Sequence, residues 1–498
     1  MTSQPTLTKA GNGPEGPGKP GDGLQAGLKN RHLSMIAIGG VIGAGLFVGS
    51  SSGIATAGPG ILLSYALVGT MVVLVMRMLG EMSAANPTSG SFSAHADRAL
   101  GRWAGFSIGW LYWFFWVVVL AIEATAGAVI LESWVPAVPQ WGWALIVMFV
   151  LTATNLVSVG SYGEFEFWFA GIKVVAIGVF IVIGGLAVFG ALPGADTDSA
   201  GLGNLTAHGG FLPNGPGSIL TGILLVVFSF MGSEIATLAA GESENPQRAI
   251  TKSTNSVIWR IGVFYLGSIF VVVTLLPWDS AAIQKDGSYV AALNSLGIPN
   301  AGEIMKFIVL TSVLSCLNSG LYTASRMAFS LGQRGDAPKA FARTTSRGVP
   351  MTAILASVAF GFVAVFFNYE FPDSVFLFLV SSSGAVALFV WLVICLSQLR
   401  MRKIIERESP EKLVVRMWLY PYLTYATIAV IVFVLGYMLT DTEHDGRKTV
   451  LLSLLVAAVV VGIALVLEKV RRGKERLPEG VAASDTSDAP DAPDAKQV

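Results

Sequence analysis

Gly39-Gly40-Val41-Ile42-Gly43-Ala44-Gly45-Leu46-Phe47 and Phe228-Ser229-Phe230-Met231-Gly232-Ser233-Glu234 interrupt two long hydrophobic segments. The first is crowded with glycine, and each glycine costs about 1 kcal/mol against alanine in a helix interior. The second sets a glycine, a serine and an acid in succession at mid-segment. Lipid offers no hydrogen bonds, so irregular backbone inside a bilayer survives only against protein or a water-filled cavity. Two interrupted segments at matching places in the two halves of a chain point to a carrier's midplane binding site. The implied cargo is a small polar molecule.

Composition supports a membrane chain. Of 498 residues, 53% are hydrophobic and 13% charged, against about 25% charged in soluble domains. A mean hydropathy of +0.65 over this length implies apolar stretches throughout, not a single anchor. A span needs about 20 mostly apolar residues. Twelve are expected, at 35–57, 60–78, 103–131, 141–159, 165–189, 218–240, 257–277, 302–331, 351–368, 375–399, 418–439 and 450–467. The fold class is therefore an all-α membrane protein.

Lys and Arg set the expected orientation. Arg400, Arg402, Lys403, Arg407, Lys412 and Arg416 follow span 10; Arg334, Lys339, Arg343 and Arg347 follow span 8. Arg77, Arg98, Arg102, Arg248, Lys252 and the cluster around Arg471 fall on the same face, whereas the opposite loops offer Lys285, Arg447 and Lys448. The positive-inside rule then places both termini of a cell-membrane protein in the cytoplasm. Residues 1–30 and 473–498, rich in Gly, Pro, polar or acidic types, read as disordered tails around a transmembrane domain at 31–472.

No connection between spans is long enough for a soluble catalytic domain. The chain carries no phosphate-cradling loop, metal-spaced His or Cys pair, or nucleophile elbow. An enzyme, a cofactor, a metal site and a nucleic-acid partner are accordingly not expected. Cys316 and Cys395, both in apolar runs, read as small packing residues. Energy for uphill movement would come from an ion gradient.

Several residues in the spans can carry chemistry, each beside a plainer reading. If span 1 unwinds at Ile42-Gly43-Ala44-Gly45, its second half begins with free N–H groups and a positive dipole end, suited to a carboxylate; small residues also permit close helix packing. Glu234 in span 6 can titrate, or can accept backbone hydrogen bonds from an unwound segment. Glu242, just beyond, is a solvated helix end or a gate contact. Lys173 lies deep in span 5, as a group whose proton couples to conformation or as a fixed structural cation. Tyr112, Trp116 and Glu123 stack on one face of span 3, able to hold an ammonium by cation–π attraction or simply to pack. A polar stripe of Ser315, Asn318, Ser319, Tyr322 and Thr323 in span 8 lines a path or glues helices.

These residues carry a resemblance. The run from Gly39 to Phe47, the stretch from Phe228 to Glu234 with Ala240-Gly241-Glu242, and Gly163-Glu164-Phe165-Glu166-Phe167-Trp168 with Lys173 resemble the amino acid–polyamine–organocation superfamily. Tyr322-Thr323-Ala324-Ser325-Arg326-Met327 with Gly335-Asp336-Ala337-Pro338 resembles its bacterial amino acid transporter family. Ser253-Thr254-Asn255-Ser256-Val257-Ile258-Trp259-Arg260 and Leu399-Arg400-Met401-Arg402-Lys403-Ile404 are similar to the 4-aminobutyrate permeases within it. Ala44 departs from the Ser or Thr that many members carry between the two glycines.

The resemblance implies a LeuT-like fold of five helices repeated in inverted orientation, with spans 11 and 12 outside the repeat. It also implies proton-coupled uptake of a zwitterionic amino acid by alternating access. Ile42, Gly43, Ala44, Gly45, Phe230, Met231, Ser233, Glu123 and Tyr322 would bind substrate. Lys173, standing where relatives hold a sodium ion, and Glu234 would couple protons; Glu242, Tyr112 and Trp116 would gate or support. Other cargoes within the family remain as alternatives, among them proline, β-alanine, aromatic and basic amino acids. A membrane sensor that binds an amino acid without moving it is the alternative of a different kind.

Overall fold

The computed structural model describes residues 31, 32, 35, 42–88, 90–157, 159–193, 200–240, 245–370, 372–440 and 446–475. Gly39, Gly40, Val41, Glu242 and most of both expected tails lie outside the described residues. All regular structure among the described residues is helical.

Each expected span has a helix. Span 1 is Ala44–Phe47 and Gly49–Ala57, span 2 Ile61–Ala85, span 3 Arg102–Trp134, span 4 Gln140–Val157 and span 5 Val159–Val188. Span 6 is split into Gly217–Phe230 and Ile235–Ala240. Span 7 runs Pro246–Arg260, Ile261–Gly267 and Ser268–Leu275. Spans 8 to 12 are Ala301–Gln333, Met351–Glu370, Pro372–Glu408, Tyr422–Met438 and Gly446–Glu475. Nine stretches among the described residues are long and apolar enough to cross a bilayer, the first, Ala44–Ala85, containing both span 1 and span 2. Met351–Val363 and Tyr422–Met438 are shorter apolar helices.

Span 7 departs most from expectation. Its hydrophobic run starts at Val257, yet the helix begins eleven residues earlier, where Asn245 accepts the Arg248 amide at 3.2 Å and Pro246 takes the first turn. That opening is amphipathic, so hydropathy alone misses it. Ile261–Gly267 is a π-helix, a form that concentrates at functional sites.

Span 1 packs on span 6, span 2 on span 7, span 3 on span 8 and span 4 on span 9. Each partner lies five spans away. Five is odd, so a span and its partner cross the bilayer in opposite directions, the relation expected of an inverted five-plus-five arrangement. Broken spans 1 and 6 face each other at its centre.

Burial is inverted relative to a water-soluble protein because the bundle's solvent is lipid. Phe149, Trp168, Val175, Phe366 and Phe433 face outward, while Glu81, Glu123, Glu166, Lys173 and Glu234 are buried. The Arg-rich connections converge at one end. There Asp336, its side chain 1% exposed, accepts from Arg102 at 3.1 Å and Arg471 at 3.2 Å. This joins the start of span 3 and the end of span 12 to the loop after span 8. At the opposite end the short helix Ser288–Asn294 covers span 1 through Ser50–Ser288 and Ser288–Ser51 hydrogen bonds of 2.6 and 2.9 Å.

Candidate substrate site

Ile42 and Gly43 are non-helical, Gly43 with extended backbone, and a helix starts at Ala44. A helix begins with unpaired N–H groups, and the non-helical chain before it offers free carbonyls. Both are taken by buried charged groups from other spans. The Ala44 amide donates to both oxygens of Glu123 at 3.1 Å, and the Lys173 ammonium donates to the Ile42 carbonyl at 2.8 Å. Gly43 lies between them. A Cβ there would stand 2.5 Å from the Glu123 Oε1 and 2.6 Å from the Cys316 Cβ, so only glycine fits.

Span 6 breaks at Met231, whose ψ of 140° leaves the helix, and Gly232 follows with a φ of 104°. That left-handed backbone favours glycine. Glu234 folds back so that its two oxygens accept the Gly232 amide at 3.1 and 3.2 Å. The Tyr112 hydroxyl adjoins the same carboxylate without an aligned hydrogen bond. Of the two readings of Glu234, this geometry is that of a cap on the unwound turn. The Phe230 carbonyl already accepts the Ser233 amide at 3.3 Å and its hydroxyl at 2.9 Å, so both of its lone pairs are engaged.

The two breaks touch. Ser229 donates its hydroxyl to the Gly45 carbonyl at 2.6 Å, and a Cβ on Gly45 would come within 2.7 Å of the Ser229 Cα. Around this contact Phe115, Trp116, Val119, Glu123, Phe228, Met231 and Cys316 close a cavity of about 10 Å³. That is room for about one water-sized sphere. A cavity of this size is too small for an amino acid.

Sequence reasoning named Glu123, Gly45, Trp116 and Met231 among these walls, and missed Phe115, Val119, Phe228 and Ser229. Cys316, expected as inert packing, lies against Glu123. Of the other residues expected at the substrate, Ile42, Gly43, Ala44, Phe230, Ser233 and Tyr322 do not line the cavity. Tyr322 instead stacks on Tyr162, with ring centres 4.1 Å apart, beneath the Arg326 guanidinium. Glu166 is the main omission. It is fully buried, accepts from Ser315 at 2.8 and 2.9 Å, and is the strongest electrostatic partner of Lys173, ahead of Glu123. Its position one heptad before Lys173 places both on one face of a helix, a signal that was available in the sequence.

Facing helix breaks whose backbone dipoles are held by buried charges define a membrane carrier of the broken-helix class. The chain belongs to the amino acid permease family, whose sequence profile matches residues 32–478. A permease moves its substrate and does not convert it, so this is a transporter and not an enzyme.

Among its relatives is the gamma-aminobutyric acid permease of Bacillus subtilis (strain 168), 54% identical over 462 residues, 93% of this chain and 96% of that protein. The gamma-aminobutyric acid permease of Escherichia coli (strain K12) is 53% identical over 416 residues, covering 84% and 89%. The aromatic amino acid transport protein AroP of Corynebacterium glutamicum is 42% identical, covering 86% and 92%. A solved mutant of the Eremococcus coleocola manganese transporter shares the fold, with a TM-score of 0.57 over 89% of this chain and 94% of that one at 10% identity.

Proposed function

We propose that this permease carries 4-aminobutyrate, or a closely related zwitterionic amino acid, into the cell by proton-coupled alternating access. The relatives named for gamma-aminobutyric acid, at 53–54% identity over most of the chain, support the cargo. The uneven distribution of Lys and Arg supports cytoplasmic termini in the cell membrane.

The observation that carries the mechanism is the Glu123–Ala44 contact. An amide at a helix start is a natural carboxylate site, and here a carboxylate of the protein holds it. A substrate carboxylate reaches Ala44 by displacing Glu123, which, buried, without its donor and beside a second anion, takes a proton from the outer solution. The ammonium end lies against the Trp116 ring and the Met231 end of the first half of span 6, a negative dipole end. Lys173 bridges span 5 to the break in span 1, and Glu166 and Glu123 are its charged neighbours. Moving a proton within this group changes the bond between the two spans. Substrate and proton shift the facing equilibrium only through unequal affinity for the two states.

Counterflow tests the reading. Proteoliposomes loaded with unlabelled 4-aminobutyrate should transiently accumulate the labelled compound, and competitors should weaken as their amine–carboxylate separation departs from that of 4-aminobutyrate. An absence of counterflow would remove the carrier mechanism, and equal competition by α-amino acids would remove the cargo.

A further inference from the structure

Arg260 ends the first helical segment of span 7, about one turn inside the point where that span turns hydrophobic. It is 4% exposed, and its Nε and Nη2 have no hydrogen-bond partner among the described residues. The other buried arginines among the described residues are provided for. Arg402 is paired with Glu81 at 2.6 Å, and Arg326 lies over the Tyr322 ring. An unpaired guanidinium away from water is costly, and ionisable groups inside membrane segments mark substrate or ion paths.

The next residues supply a second observation. Ile261–Gly267 is a π-helix, and its i→i+5 bonding brings residues five apart onto one face. Tyr265, five residues on, has a buried hydroxyl that also lacks a hydrogen-bond partner among the described residues. The Tyr265 ring stacks on Phe230 with centres 4.3 Å apart, at the last residue before the break in span 6. Two unsatisfied donors therefore stand in series between the central site and the Arg-rich end of the bundle.

A planar guanidinium with free N–H groups matches a carboxylate in two-point geometry. We infer that Arg260, with the Tyr265 hydroxyl, forms a second binding site that receives the substrate's carboxylate on the cytoplasmic side of the central site. The unpartnered donors are satisfied when the carboxylate leaves Ala44 on its way inward. Arg260 immediately precedes the π-helical stretch Ile261–Gly267, and Tyr265 lies within it.

This inference rests on the permease reading and is tested with whichever amino acid the wild-type protein carries. Labelled substrate transport is measured in right-side-out and inside-out membrane vesicles, for the wild type, Arg260→Gln, Arg260→Lys and Tyr265→Phe. Arg260→Gln should raise half-saturation from the cytoplasmic side at least tenfold and leave the outer value within about twofold. Arg260→Lys should recover part of the loss, and Tyr265→Phe should show a smaller shift on the same side. A purely structural Arg260 would instead lower the amount of folded carrier, read by gel filtration, with both half-saturation values unchanged; that result overturns the inference. Equal shifts on both sides overturn it as well. So does a wild-type cytoplasmic half-saturation that moves when chloride is replaced by methanesulfonate, since a free anion would then be the occupant. Absence of wild-type transport would count against the permease reading itself.

Discussion

The Glu123 carboxylate accepts the Ala44 amide hydrogen on both of its oxygens, at 3.1 Å each, joining span 3 to the first free donor of a broken helix. A helix start attracts negative charge through its dipole and its unpaired N–H groups. Here the protein fills that position with its own acid, so any other acceptor of the Ala44 amide must displace Glu123.

Glu123→Gln should separate binding from driving force. The amide oxygen still reaches Ala44, but without charge it is a weaker competitor. Half-saturation for uptake should hold or fall, while accumulation driven by a pH gradient should drop roughly tenfold or more, a loss of about 1.4 kcal/mol of coupling. Proteoliposomes with an imposed pH gradient provide the measurement, and undiminished accumulation would release Glu123 from the coupling group.

Lys173→Ala removes the donor to Ile42 and leaves Glu166 beside a lost cation. A hydrogen bond from a charged group contributes about 1.5–3 kcal/mol, so the spans 1 and 5 contact should loosen and pH-driven accumulation should vanish. Exchange of substrate across the membrane, which needs no net coupling, is the sensitive control. Uphill accumulation retained in this variant would exclude Lys173 as the coupling residue.

Gly43→Ala should be damaging out of proportion to one methyl group. Its Cβ would meet Glu123 Oε1, Cys316 Cβ and Cys316 Sγ within 2.7 Å. Overpacking of this kind costs about 1–3 kcal/mol, and here it also pushes Glu123 from Ala44. Gly171→Ala in span 5, where a Cβ meets nothing within 4 Å, should be neutral or slightly stabilising. Melting temperatures in detergent and uptake rates of the pair check this, and equal effects at both sites would refute it.

His95 lies on the helix Ser91–Leu100, between spans 2 and 3, buried beside the Ser83 hydroxyl at 3.2 Å. Burial pushes its pKa from the ordinary 6.5 down to about 4, with Arg98 adding to the shift. The folded state therefore stays neutral in a range where the unfolded chain takes up a proton. His95 contributes no loss above pH 6.5, and stability falls as the pH drops from 6.5 toward 4, by up to about 1.4 kcal/mol per unit. Thermal melts across that range should show a shallower slope in His95→Gln, and identical slopes would contradict the assignment.

Hydropathy and glycine placement made the scaffold readable in advance. Span positions depend on local runs of apolar residues, which a sequence displays directly, and the split of span 6 followed from Gly232 and Glu234. The amphipathic start of span 7 was hidden by its polarity, and its π-turn has no composition of its own. Tyr322 was expected at the substrate, but its ring stacks on Tyr162 from span 5, a partner that no local pattern in span 8 reveals. Glu166 was passed over beside the deeper Lys173, although the seven-residue interval between them was present in the chain.

The amino-acid sequence alone determined an all-helical membrane bundle with two broken spans, because lipid forces backbone pairing and glycine marks where it fails. Only the tertiary structure decided which charges serve those breaks. Glu123 and Ala44 are 79 residues apart and Lys173 and Ile42 are 131 apart. No local pattern encodes such a meeting. It arises when twelve spans pack and each buried dipole must find a partner across the bundle.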